Sequence, residues 1–297
     1  MPIELDLPAI ILSLLLLIVS IGSIAFWFAR WLAPRDLIQD KEPIPFWSIG
    51  WINFGIFICA LIVGVFVIQT FGIKILTAFE IIKLDHDPEK ALTAGIALAS
   101  ILLLQVPVIL IIFGLRRYYP LNFAGNFEHK KMPWLKALKN AAPSFLRFLP
   151  IIWITSIVWN ILLEYLRSMG VVEATPPQEL VQLFSLGGNP LLITCLALAA
   201  IFLAPYVEEI LFRGCIYRFL KSQTLIPFAQ FISGVIFAAI HGNLSSFGPL
   251  IVVGILLAHV YEKEGSLRVS ICFHALFNAF SLVLILLASR SEVIPVP

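Results

Sequence analysis

The run LLITCLALAAIFLAPYVEEILF, Leu191–Phe212, decides how the whole chain is read. Its first 17 residues carry no charge, and at about 1.5 Å per residue the run can cross the roughly 30 Å hydrocarbon core of a bilayer. Two adjacent carboxylates, Glu208 and Glu209, then interrupt it. An ionisable group in the membrane core costs roughly 2.5–3.5 kcal/mol on insertion scales, so an intramembrane carboxylate points to a functional site.

Seven more apolar runs flank this one. They are Leu7–Ala33, Trp47–Thr70, Ala91–Leu115, Phe148–Leu166, Ile226–His241, Pro249–Tyr261 and Val269–Ser289. Pro249–Tyr261 is too short to span alone and is expected to be a buried or re-entrant helix shielded by neighbours. The expected fold is therefore all-α: a polytopic transmembrane bundle of about eight helices, one of them short or re-entrant. Composition agrees, with 60% hydrophobic residues among 297 and 13% charged, against about 25% in a soluble domain. Mean hydropathy is +0.98. A soluble globular enzyme and a disordered tail protein are excluded. A net charge of only +2 offers no basic surface for phosphates, which excludes nucleic acid as a partner. The first run has Glu4 and Asp6 ahead of it and no A-x-A site behind it, so it reads as a retained anchor rather than a signal peptide.

The arginines and lysines set the expected orientation. With the N-terminus outside, 15 of the 20 fall on the inner side, roughly a three-to-one excess. Both termini are then expected outside, in a multi-pass protein of the cell membrane. The basic stretch Arg116–Arg147 is expected as an inner loop on the anionic membrane surface, and Phe71–Lys90 as an outer interfacial helix. Trp27, Trp31, Trp47, Trp134 and Tyr165 lie near span ends, where interfacial aromatics gather. Cys59, Cys195, Cys215 and Cys272 form no C-x-x-C pair and read as buried small hydrophobes. Two regions are expected: 1–145, with three spans and the basic loop, and 146–297, a C-terminal helical core.

Most ionisable residues in these runs sit at span ends: Glu164 beside Arg167, and His259 before Glu262 and Lys263. Gln105 precedes Pro107 and would satisfy backbone freed by the proline kink. The exceptions gather in the last third: Glu208, Glu209, Arg213, His241, His274 and Asn278. Residues 208 and 241 lie about equally far, roughly 25 Å, from the polar turn near Ser222-Gln223-Thr224, so an antiparallel hairpin puts them at equal depth. His274 and Asn278 are four apart and share a helix face. They lie about 13 and 20 Å from the turn at Gly265, somewhat shallower than Glu208. Glu209 and Arg213 form an i,i+4 pair in the favourable order, which leaves Glu208 to face a water-filled cavity and His241.

Such a set permits attack by water on an amide. Glu208 would act as general base, and His241 would position the water or carry a proton. His274 and Asn278 would donate to the tetrahedral oxyanion. An alternative has Glu208, His241 and His274 as ligands of zinc with one position open for water, although no H-E-x-x-H occurs. Two other readings stay open at this stage: a buried polar network that only holds helices together, and a proton or cation pathway. No internal repeat of the kind common in transporters is present.

These residues carry a resemblance. Glu208-Glu209-Ile210-Leu211-Phe212-Arg213 resembles the E-E-x-x-x-R motif of the CPBP family of intramembrane proteases, which includes the type II CAAX prenyl endopeptidases and the bacterial Abi proteins. Phe237 to His241 resembles its F-x-x-x-H motif, and His274 to Asn278 its H-x-x-x-[ND] motif. The likeness covers about residues 190–288. It implies an all-helical membrane endopeptidase acting on a membrane-bound peptide or protein, with prenylated CAAX-type chains among the candidates. By the same likeness Glu208 activates water with help from His241, Glu209, Arg213 and Phe237 support, and His274 and Asn278 form the oxyanion side. The family has been described both as metalloproteases and as metal-independent glutamate proteases, and the metal-independent form is favoured here. Some bacterial members serve bacteriocin immunity or scaffolding, which leaves a non-catalytic membrane protein as the alternative. Oligomeric state is not legible.

Overall fold

The structure is a computed structural model and describes residues 7–32, 44–82, 94–118, 132–173, 184 and 189–288. Eight helices run through the described residues. They are α1 (Leu7–Leu32), α2 (Trp51–Ala78), α3 (Ala94–Tyr118), α4 (Trp134–Ser168), α5 (Pro190–Gln223), α6 (Ile226–Ile240), α7 (Leu244–Glu264) and α8 (Leu267–Ala288). No strand occurs among the described residues. Six of these helices, α2 to α5, α7 and α8, are long and apolar enough to cross a membrane. The chain is a multi-pass integral membrane protein with an all-α fold.

The short helix is not where the sequence put it. Pro249–Tyr261 lies inside α7, which has 21 residues and meets the length of a span. The turn-rich string Gly242-Asn243-Leu244-Ser245-Ser246 looks like a loop, but Asn243 caps a helix there. Its side chain accepts the Ser246 N–H at 3.1 Å. Pro249 lies inside that helix, in its second turn, and removes one helical N–H without ending the helix. Gly265, at φ +70°, closes the other end. The short element is α6, whose 15 residues reach only about 22 Å.

Two further expectations change. The basic loop is half helix, because α4 begins at Trp134 and carries Lys136, Lys139 and Arg147. Helix α2 continues to Ala78, so Phe71 begins no separate interfacial helix, and residues 83–90 lie outside the described residues. Trp47, just before α2, is buried rather than lipid-facing: it is 3% exposed, edge-on to Phe54 and Phe57. Trp134 and Tyr165 are exposed, and the side chains of Trp27 and Trp31 lie outside the described residues.

Helix α4 packs on α1, α7 and α8, α2 packs on α3, and α3 packs on α5. Large apolar side chains such as Ile56 and Phe66 on α2 are left exposed, as a lipid-facing helix requires. Helix α5 is tied to the segment before α2. Arg218 Nε donates to Pro45 O at 2.7 Å, Lys221 Nζ donates to Ile44 O at 2.9 Å, and the Trp47 N–H donates to Arg218 O at 3.2 Å. Phe54 stacks on Phe219 at 3.7 Å between centroids. At the same end, Lys221 and Tyr217 hold the two oxygens of Glu262 at 2.5 and 2.9 Å. Asn140 donates to Glu264 at 3.2 Å, and Arg268 donates to Met132 O at 2.7 Å.

The tightest crossing is α6 on α7. A Cβ on Gly254 would fall 2.6 Å from Gly234 Cα, and one on Gly234 would fall 2.8 Å from Ile251 O. Only glycine lets the two backbones meet there. Gly254→Ala is therefore expected to force the helices apart at a cost of about 1–3 kcal/mol, read as a lower unfolding midpoint in detergent. An unchanged midpoint would contradict this crossing.

Candidate active site

Helix α5 is not a plain α-helix. Ala199–Leu203 and Ile210–Tyr217 are π-helical, with the α-helical turn Ala204–Glu209 between them. Proline explains the first. The Ala204 N–H bonds to Ala199 O, five residues back, so the matching donor for Ala200 O would be residue 205. That residue is Pro205, which has no N–H. Asn278 supplies the missing donor from α8: its Nδ2 lies 2.8 Å from Ala200 O. Wide π turns recur at functional sites because they turn side chains out of the α register. Here they flank both glutamates.

The glutamates have opposite surroundings. Glu209 is fully buried. Its Oε1 accepts from Arg213 Nη1 at 2.8 Å and from His274 Nδ1 at 3.0 Å, and its Oε2 accepts from Ser270 Oγ at 2.5 Å. Arg213, also fully buried, donates through Nη2 to Gly254 O at 2.9 Å and lies 4.7 Å from the Phe237 ring centroid. This carboxylate is saturated and has no reach left for a substrate. The Glu208 side chain is 17% exposed. Its Oε2 is 3.8 Å from His274 Nε2, and its Oε1 accepts from Gln105 Nε2 at 3.4 Å.

His274 thus bridges the two acids. Because Glu209 can only accept, His274 Nδ1 carries a proton, and a neutral ring then presents the Nε2 lone pair to Glu208. Two acceptors facing each other at 3.8 Å need a proton or a donating water between them. His241 closes α6, just beyond Ile240. Its Nδ1 lies 2.7 Å from Phe237 O, which again fixes the proton on Nδ1 and leaves Nε2 as the basic atom. The Phe237 ring stands 4.7 Å from the His241 ring and 5.6 Å from the His274 ring. It spaces the two histidines while its own carbonyl orients one of them. Among the described residues no hydrogen bond joins His241 to Glu208.

The expected depth difference is absent. His274 meets Glu208 and Glu209 directly. Two π stretches interrupt α5, so depths counted at a uniform α-helical rise do not hold along it. Gln105 does not serve backbone at the Pro107 kink. It donates to Glu208 instead. Ser270 is not among the residues the sequence singles out, although Ser270, His274 and Asn278 repeat at intervals of four and share one face of α8.

Both histidine tautomers would suit a metal ligand, since each presents Nε2. The placement does not suit one. Among the described residues, no three His, Cys, Asp or Glu groups stand together as Glu208, His241 and His274 would have to.

Residues 190–280 match the family described as Type II CAAX prenyl endopeptidase Rce1-like. The C-terminal segment is CPBP-like. The match encloses all three motifs, from Glu208 to Asn278, and stops short of α1 to α4. A Bacillus subtilis (strain 168) protein named "Putative membrane peptidase YdiL" is 32% identical over 80 residues, 27% of this chain and 33% of its own. The chain thus spans about a third of the curated relative it matches. No solved structure matches.

The ion pair sets a stability prediction. Arg213→Met leaves Glu209 buried without its cation and is expected to cost about 3–5 kcal/mol. The double variant Glu209→Gln/Arg213→Met is expected to recover part of that loss in thermal unfolding. Strict additivity of the two single losses would contradict the pairing.

Proposed function

We propose that this protein is an intramembrane endopeptidase that hydrolyses a peptide bond in a membrane-associated peptide or protein, with prenylated CAAX-type chains among the candidates. One observation carries the reading. Of two adjacent intramembrane carboxylates, Glu209 is sealed by Arg213, Ser270 and His274, while Glu208 stays partly open beside the same histidine. A purely structural network would have every member satisfied in this way.

In the proposed reaction, water beside Glu208 loses a proton to its carboxylate and attacks the scissile carbonyl. His241, through Nε2, positions that water. His274, held by Glu209, carries a proton between Glu208 and the leaving amine. Once Nε2 has taken that proton, its N–H donates to the tetrahedral oxyanion and then passes the proton to the leaving nitrogen as the intermediate collapses to a carboxylic acid and a free amine. Asn278 spends one N–H on Ala200 O, and its second is available to the oxyanion. The role of Arg213 is electrostatic: it lets Glu209 stay ionised and therefore able to hold His274. We propose that this chemistry needs no metal, because the donor placement supplies no three-ligand set. We also propose that the basic end of the bundle, with Lys136, Lys139, Lys263 and Arg268, faces the inner leaflet.

The test is cleavage of a fluorogenic membrane-peptide library by purified protein with chelator present. Wild type is expected to cleave. Glu208→Ala, folded and inserted, is expected to lose at least about a hundredfold, the usual scale of a lost general base. Wild-type-like turnover by Glu208→Ala would overturn the reading. Activity abolished by chelator and restored by zinc would overturn the metal-independent part alone.

A further inference from the structure

We propose that Gln105 is a positioning residue for the reaction, so that helix α3, outside the family-matched segment, completes the site. This inference rests on the reading of Glu208 as the water-activating group. Gln105 is 5% exposed within an uncharged stretch of α3, and its Nε2 points a donor at Glu208 Oε1 at 3.4 Å. A buried amide of this kind needs partners, and burying it without one is costly. Pro107 lies two residues further along the same helix.

The chemistry of glutamine fits the position. Glu208 has two oxygens. One must accept the proton of the attacking water near His274, and the other must be held so that the carboxylate does not rotate. The amide of Gln105 holds Oε1 without adding charge. A cation there would quench the base, and an aliphatic residue would leave Oε1 unpaired. Gln105 also fixes which face of Glu208 is spent: α3 takes Oε1, and the α8 side keeps Oε2 beside His274. The matched segment 190–280 therefore supplies the reacting groups but not all of their orientation.

The test uses full-length protein in lipid nanodiscs and the near-isosteric Gln105→Met, which keeps volume and removes the donor. Two readouts are taken. The first is turnover of a fluorogenic membrane peptide that the wild type cleaves. The second is the infrared carboxylate stretch of Glu208, isolated by subtracting Glu208→Gln. The expected result is kcat lower by about tenfold or more, the scale of a hydrogen bond to a charged group, with KM unchanged within about twofold. The Glu208 band moves, and the unfolding midpoint stays near that of the wild type. Gln105→Glu, which keeps the shape but sets a like charge against Glu208, is expected to lose more turnover than Gln105→Met. An unmoved Glu208 band in folded Gln105→Met overturns the inference, as does an unmoved kcat. If the wild type cleaves nothing, the protease reading fails on turnover, while the band still decides whether Gln105 holds Glu208.

Discussion

Arg213 carries a full charge into the middle of a helical bundle, and the surrounding groups are arranged to keep it there. Glu209 neutralises it from one turn earlier, the Gly254 carbonyl accepts from its second nitrogen, and the Phe237 ring covers its face. Each partner then has a second task. Glu209 holds His274, Phe237 holds His241, and Gly254 lets α6 lie against α7. Isolated, a buried ion pair contributes little net stability because desolvation offsets attraction. Its value here is geometric. It commits one of two adjacent carboxylates to scaffold and leaves the other partly open.

The backbone of α5 makes that division feasible. Pro205, five residues after Ala200, has no N–H to give its carbonyl, and Asn278 takes that carbonyl instead. The cost of a broken turn is offset across the helix interface by an amide from α8, which locks α8 at the depth where His274 reaches both acids. Two π stretches around Glu208 and Glu209 thus connect a sequence feature, a proline beside two glutamates, to the register of the proposed catalytic groups. The N-terminal half joins the same construction. The Ile44–Trp47 segment clamps the far end of α5, and Gln105 approaches Glu208 from α3.

Much of this was legible in the sequence because membrane helices advertise themselves. Eight apolar runs became eight helices, and the i,i+4 spacings of Glu209 with Arg213 and of His274 with Asn278 placed the right residues on shared faces. What the sequence hid has physical causes. Distances measured from turns assume a uniform α-helical rise, and α5 has two π stretches, so the count places His274 too shallow. A capping asparagine amid glycine and serine looked like loop, which shortened α7 on paper. Asn278 was read as an oxyanion donor, but its first partner is a carbonyl that only a three-dimensional break in α5 exposes. Gln105 was assigned to its own helix because nothing in one dimension says that α3 passes Glu208.

The central claim is that water, activated by Glu208, attacks the substrate directly. The most direct measurement is a single turnover of a membrane-anchored peptide in water labelled with heavy oxygen, with products and enzyme weighed by mass spectrometry. The account predicts one solvent oxygen in the new carboxyl group on the first turnover and none in Glu208. Label deposited in the Glu208 carboxylate, with an unlabelled product, would show a covalent acyl intermediate on that residue and contradict it.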